Sequence, residues 1–286
     1  GIDVACRNVS LTGANAELPQ RILELEQKDI ADAEYCIQHL LPHHLVGSDK
    51  FKKNIALFVS ETSSIKMNPW FVHLEQMDEI WVPSEHLWDS MSRDNINATV
   101  KVVPHAFDMA KYNKKYPVMK NTQTDDTFKF YYIGDLNQRK NIETILRCFH
   151  SEFDISEQVS LILKVNKFGH SPEQVHQVMD SISQQIKQDL RMYDDIRMYR
   201  PEAILSSRIP EADLYALHQY CDCFICPSHG EAWSIPSFDA MAFGNTPICS
   251  DFGGPRDFIE KDNRNTGWVV SGVDSGCTYR DEAFKE

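Results

Sequence analysis

Glu231 and Asp239 are two acids separated by seven residues in the stretch CPSHGEAWSIPSFDAMAFGNTP, Cys226–Pro247. A carboxylate accepts hydrogen bonds from hydroxyl groups, so two at one site suit a ligand with two hydroxyl-rich parts. Trp233, Ser234, Ile235 and Pro236 lie between them. Pro236 suits the first turn of a helix, and Gly244 suits its end. This spacing predicts Glu231 in the loop after the strand CFICPS and Asp239 in the first turn of the next helix. The amides from Ser234 to Ser237 then face the same pocket, at a helix start that favours anions. Acids for sugar hydroxyls and amides for a joining phosphate are the chemistry this pattern suits. Plainer readings also fit each acid singly. Asp239 complements a helix dipole, worth ~0.3–1 kcal/mol, and Glu231 is a solvated loop residue.

A second group lies in YYIGDLNQRKNIETIL, Tyr131–Leu146. Gly134 ends a strand there, and a glycine lets the backbone come close to a ligand. Arg139 and Lys140 stand at the entrance of the following helix. Two cations are a poor choice against a helix N-terminus unless an anion sits between. The phosphate fingerprint G-x-G-x-x-G is absent, so a dinucleotide fold is not supported. Gly253-Gly254-Pro255 reads equally as pocket wall or as an ordinary turn.

The elements that must position these residues alternate between strand and helix. In the first part, AEYCIQHLLP, KNIALFVSET, MDEIWVPS and ATVKVVPH are short apolar runs that read as strands. SEHLWDSMSRDN reads as a helix with Ser84 as its N-cap. The stretch Asp108–Thr127 is polar and aperiodic and reads as a linker. The alternation then restarts at FKFYYIGD. This predicts an N-terminal domain over 1–107, a linker over 108–127 and a C-terminal domain over 128–286, each a parallel sheet between helices. Ligands of such sheets sit outside the carboxyl ends of the strands.

Bulk properties narrow the function. The formal charge is −13 over 286 residues, which argues against nonspecific nucleic-acid binding. No apolar run approaches the ~20 residues of a spanning helix. Peripheral contact with a membrane stays open, though no basic amphipathic helix suggests it. Of eight cysteines, three fall in CDCFIC. On a strand, Cys221 and Cys223 point one way and Cys226 the other, so they do not converge on one metal ion. Free buried thiols fit a reducing, cytoplasmic location. NVS and NAT match the glycosylation sequon, a triplet that also arises by chance. The first residue is Gly, and the sequence reads as a fragment.

The second half resembles the group 1 (family 4) retaining glycosyltransferases of GT-B architecture. Their motif E-G-x-G-x-P-x-x-E-A-M-A-x-G-x-P is similar to EAWSIPSFDAMAFGNTP, their strand-end P-S to Pro227-Ser228, and their G-x5-K element to GDLNQRK. In the first half, MDEIWVPS and VKVVPHAFD resemble the last strands of the acceptor domain. The resemblance runs from about Ile55 to Phe258 and implies an α/β fold of two Rossmann-like domains, both incomplete here. It implies a nucleoside-diphosphate sugar as donor and a carbohydrate or glycolipid-type acceptor, with no metal and no other cofactor. Glu231 then binds hydroxyls of the transferred sugar, and Asp239 the ribose diol. Lys140 and Arg139 clamp the diphosphate, and the amides of Trp233, Ser234 and Ile235 approach sugar and phosphate. Arg208 and Ile209 lie where such enzymes hold the base. His39, His43 or His44 is placed near the sugar; which of them acts stays open. Glu61 ends a strand on the cleft side.

Four departures bear on activity. The second acid is Asp rather than Glu. Asp135 stands where an arginine is usual. Ala232 and Ser234 replace glycines. The first strand-loop and the final helices are expected to be missing. Another GT-B enzyme, such as an epimerase or phosphorylase, and a non-catalytic sugar-nucleotide binder are therefore the alternatives.

Overall fold

Parallel strands that feed helices must be covered on their faces, and the apolar runs of this sequence sort into two such sheets. The computed structural model describes residues 2–9, 18–66, 68–117, 126–259 and 267–272. The first sheet holds β1 (Tyr35–Gln38), β2 (Lys53–Leu57), β3 (Glu79–Val82) and β4 (Thr99–Val102), parallel and in that order. Helices α1 (Gln20–Glu26), α2 (Phe71–Leu74) and α3 (Glu85–Arg93) accompany it. Ala56, Ile80 and Val82 share one face and pack with Leu74, Leu87 and Met91. Each of the larger side chains among them stabilises the fold by ~1.5–3 kcal/mol when fully buried. Ser84 caps α3 as its type predicts, accepting from the Leu87 amide.

The connector differs from the expected aperiodic linker. Asp108 accepts from the Ala110 amide at 2.9 Å and starts α4 (Met109–Asn113). Aromatic packing holds this short helix: Tyr112 stands edge-on to Phe243 at 5.1 Å. The rest of the predicted linker, 118–125, lies outside the described residues, as does the segment 273–286.

The second sheet runs β10-β9-β8-β5-β6-β7 across its width, all parallel. Its strands are β5 (Phe128–Asp135), β6 (Val159–Asn166), β7 (Glu202–Leu205), β8 (Cys223–Cys226), β9 (Thr246–Ser250) and β10 (Trp268–Val270). Helices α5 (Ile142–Glu152) and α6 (Pro172–Leu190) cover one face through Ile145, Phe149, Val175 and Met179. Helices α7 (Glu211–Tyr220), α8 (Ile235–Ala242) and α9 (Arg256–Ile259) cover the other through Leu217, Ala240 and Ile259. After β5 the chain builds outward through β6 and β7, then returns to lay β8 on the opposite side of β5. The carboxyl ends of β5 and β8 therefore flank the switch point where ligands of open α/β sheets bind.

Four of the cysteines serve the core. Cys221, Cys223, Cys226 and Cys249 are all buried, and burial pushes the Cys223 thiol up to about 12. A thiol held protonated is a poor metal ligand and a poor nucleophile.

Candidate functional site

At the switch point two loops are stitched together by their backbones. Asn137 starts a helical turn over Gln138–Lys140 by accepting from the Lys140 amide at 3.0 Å. Asn141 then adopts the left-handed conformation, φ 53°, and donates its side-chain amide to the Pro227 carbonyl at 3.1 Å. The Arg139 carbonyl accepts from the Ser228 hydroxyl at 3.1 Å and the His229 amide at 2.8 Å. These bonds fix the ends of β5 and β8 against each other.

The fixed loops bring together three predicted residues. Lys140 Nζ lies 2.5 Å from Glu231 Oε1, and Arg139 Nη1 lies 3.3 Å from the same oxygen. Arg139 also donates to the Gly230 carbonyl at 2.6 Å. Its other terminal nitrogen approaches Glu61 Oε1 at 3.4 Å, across from the end of β2. Two cations and two acids thus meet in a partly dry setting; Glu231 is 8% exposed. In low dielectric such charges interact strongly, and an incoming anion competes directly for the cations.

Glycines let the surrounding loops come this close. A Cβ on Gly230 would lie 2.3 Å from the Glu61 carbonyl oxygen, and one on Gly254 would lie 2.1 Å from that of Ala232. The Gly254 amide donates to the Glu231 carbonyl at 2.9 Å. The Gly253-Gly254 turn therefore seats the Glu231 loop.

Trp233 packs at the mouth, 5.1 Å from Phe258 and 6.2 Å from His105, which follows β4. Ser234 takes the left-handed conformation, φ 66°, a region that favours glycine. For a residue with a Cβ this costs ~1–2 kcal/mol. Its hydroxyl shares a 2.7 Å hydrogen bond with Ser237. The Ser237 amide, expected to face a ligand, donates to the Ser234 carbonyl at 3.1 Å. Ile235 is the first helical residue and half exposed.

Asp239 departs from expectation. It is the fifth residue of α8, beyond the first turn, because the helix starts at Ile235 and Pro236 takes the second position. Dipole complementation therefore does not explain it. Instead, Lys111 Nζ lies 2.9 Å from Asp239 Oδ1, and the Tyr112 hydroxyl donates to the same oxygen at 2.5 Å. Neither partner was legible as such in the sequence; both sit on the connector helix.

The remaining predicted residues scatter around this centre. Gly134 does not leave open room over its Cα, since the Tyr132 hydroxyl would lie 2.3 Å from a Cβ there. Ile209 lines a cavity of about 370 Å³ with Ile204–Ser207, Asp213 and the connector's Pro117, whereas Arg208 is exposed. His39 follows β1 directly and is exposed. His43 lies in a short helical turn, stacked 6.5 Å from Trp70. Among the described residues no bond or ring contact joins either histidine to the Glu231 cluster. Lys164, unremarked in the sequence, is a buried cation at the end of β6, its pKa lowered by burial against the opposing pull of Asp135. Among the described residues no three of His, Cys, Asp and Glu gather as a metal-binding group.

The sequence model described as "Glycosyl transferases group 1" matches residues 118–275, more than half of the 286. The chain belongs to this family. Its architecture is GT-B. A trehalose-6-phosphate synthase structure superposes with a TM-score of 0.59 at 10% identity, covering 83% of this chain and 61% of that one. The UDP-forming α,α-trehalose-phosphate synthase of Burkholderia xenovorans gives 0.57 at 11% identity, covering 78% and 60%. HepE of Anabaena, in complex with UDP and glucose, gives 0.57 at 15% identity, covering 77% and 58%. The chain thus spans about three fifths of the structures it matches. No curated protein matches it by sequence. No helix among the described residues of this group 1 glycosyl transferase is long and apolar enough to cross a membrane.

Proposed function

We propose that this chain carries the donor site of a retaining, metal-independent glycosyltransferase that uses a nucleoside-diphosphate sugar. The observation that carries the reading is the pair of cations, Arg139 and Lys140, sharing one oxygen of the buried Glu231 at the switch point. A diphosphate is the ligand that suits two such cations. On its arrival they turn from the acid to the phosphates, and Glu231 becomes an acceptor for hydroxyls of the transferred sugar. Asp239 takes the ribose diol, and the cavity beside Ile209 takes the base; its volume lies within the ~300–1,000 Å³ range of small-molecule sites. The first sheet, within 1–107, offers the acceptor side, and 128–286 the donor side.

In the reaction the bond from the anomeric carbon to the diphosphate oxygen breaks, and a bond to the acceptor oxygen forms on the same face. The acceptor proton passes to the leaving phosphate. Negative charge grows on that phosphate, and Lys140 and Arg139, already oriented, stabilise it without reorganisation. Proteins similar in fold bind UDP with glucose or form trehalose phosphate, which favours a carbohydrate acceptor here.

A non-catalytic sugar-nucleotide binder is the second reading, favoured by Asp135 beside the clamp and by Asp239 in place of a longer acid. Isothermal titration with UDP and GDP, then a donor-hydrolysis assay with and without EDTA, separates the two. Binding with EDTA-insensitive turnover is the expected result. Binding without turnover favours the second reading, and binding of neither nucleotide sinks both.

A further inference from the structure

The connector is bound to the donor unit more tightly than a linker needs to be. Phe107 packs 5.3 Å from Phe238 of α8, and Tyr116 packs 5.2 Å from Tyr215 of α7. Gln219 of α7 accepts from the Tyr116 amide at 3.0 Å and donates to the Lys114 carbonyl at 2.7 Å. At the centre of this contact lies the Asp239 carboxylate, 6% exposed. Both of its described partners, Lys111 at 2.9 Å and Tyr112 at 2.5 Å, take Oδ1. Lys111 is held on its other sides by the Tyr112 ring at 4.8 Å and the Tyr215 ring at 5.0 Å.

We propose that Lys111 and Tyr112 are positioning residues of the donor site, holding Asp239 by Oδ1 so that Oδ2 is presented to the ribose hydroxyls. The inference rests on the reading of Asp239 as the ribose acid. Two physical arguments support it. A short carboxylate can rotate about its last bond, and two donors on one oxygen fix that rotation. A lone carboxylate beside a diphosphate would also repel it. The Lys111 ammonium cancels that charge while staying on two aromatic faces, where it does not compete for the phosphates. Burial, then the bond to Asp239, raises the pKa of the Tyr112 hydroxyl, so it stays protonated as a donor across the working range.

The test compares binding of a ribonucleoside diphosphate with its 2′,3′-dideoxy analogue, using the uridine and guanosine pairs. Wild type is expected to favour the ribose form by about tenfold to hundredfold, the range for hydrogen bonds to a charged group. Asp239→Ala should bring that ratio close to one. Lys111→Met and Tyr112→Phe should each lower it by about threefold or more, and Lys111→Arg should restore most of it. Tyr112→Phe removes a single hydroxyl and keeps the ring, so it decides the matter if Lys111→Met melts early. A ratio unchanged in Tyr112→Phe and Lys111→Met but lost in Asp239→Ala overturns the inference and leaves the ribose reading standing. A wild-type ratio of one removes the ribose reading and the inference with it.

Discussion

Each sheet buries an acid among cations, but the two acids are used differently. On the first sheet, Glu79 opens β3 between Ile55 of β2 and Thr99 of β4 and is 3% exposed. Lys101 and the Trp81 indole occupy its Oε1, at 2.8 and 2.6 Å, and Lys53 occupies Oε2 at 2.9 Å. Both oxygens are spent. On the second sheet, Glu231 stands beyond a strand end, and Lys140 and Arg139 crowd one oxygen. Among the described residues no bond to its Oε2 occurs. A saturated acid inside a ladder stabilises a fold, whereas a half-used acid with surplus cations at a switch point is arranged for a ligand. Burial and cationic partners alone therefore do not identify a site; unspent hydrogen-bonding capacity and position do.

The contrast breaks most clearly at Lys140. Lys140→Ala should lower diphosphate affinity by about a hundredfold, the upper range for a charged hydrogen bond, with the melting temperature held. Titration calorimetry beside a thermal melt checks both halves, and unchanged affinity would dismiss the assigned clamp. Glu79→Gln should do the reverse. It leaves two lysines without their acid and should lower Tm by about 2–4 °C, while nucleotide affinity stays put.

Acid gives a smaller and graded separation. Burial holds His218 of α7 down to about 4, beside the Tyr131 hydroxyl at 2.6 Å. The folded state keeps it neutral, while the unfolded chain takes up a proton from pH ~6.5 downward. The stability tied to His218 is thus whole above pH ~6.5 and lost as pH falls towards 4. Glu79 behaves differently. Burial works to raise its carboxyl, but the donors Lys101, Trp81 and Lys53 outweigh it and hold it at about 2. Its share is whole above pH ~4.5 and lost only as pH falls towards 2. Melts between pH 7 and 4 should therefore show a loss that His218→Asn removes and Glu79→Gln does not.

Much of the candidate site on the second sheet was legible because its signals are local. Pro236 and Gly244 bracket α8, Gly134 is the last residue but one of β5, and the cations sit in the turn that follows. The errors arose where local spacing met distant packing. Pro236 lies in the first helical turn as expected, but the helix starts at Ile235, which leaves Asp239 beyond the first turn. Gly134 is small because Tyr132 folds over it, a contact along one strand face that motif spacing does not encode. Lys111 and Tyr112 were hidden because their partner lies on α8, more than a hundred residues on, and α4 is too short to show a period. Glu61 was expected to end its strand but lies four residues past the end of β2, and its approach to Arg139 depends on how the two sheets face each other.

The docking of the connector also settles where the molecule can turn. Val103 still donates to Val82 of the first sheet, and Phe107 already rests on α8. Between these anchors only Pro104, His105 and Ala106 remain, and His105 meets the Trp233 ring edge-on at 6.2 Å. Any swing of one sheet relative to the other along this connection is concentrated in three residues. Such a swing changes the edge-on contact between His105 and Trp233, so that aromatic pair reports on the joint.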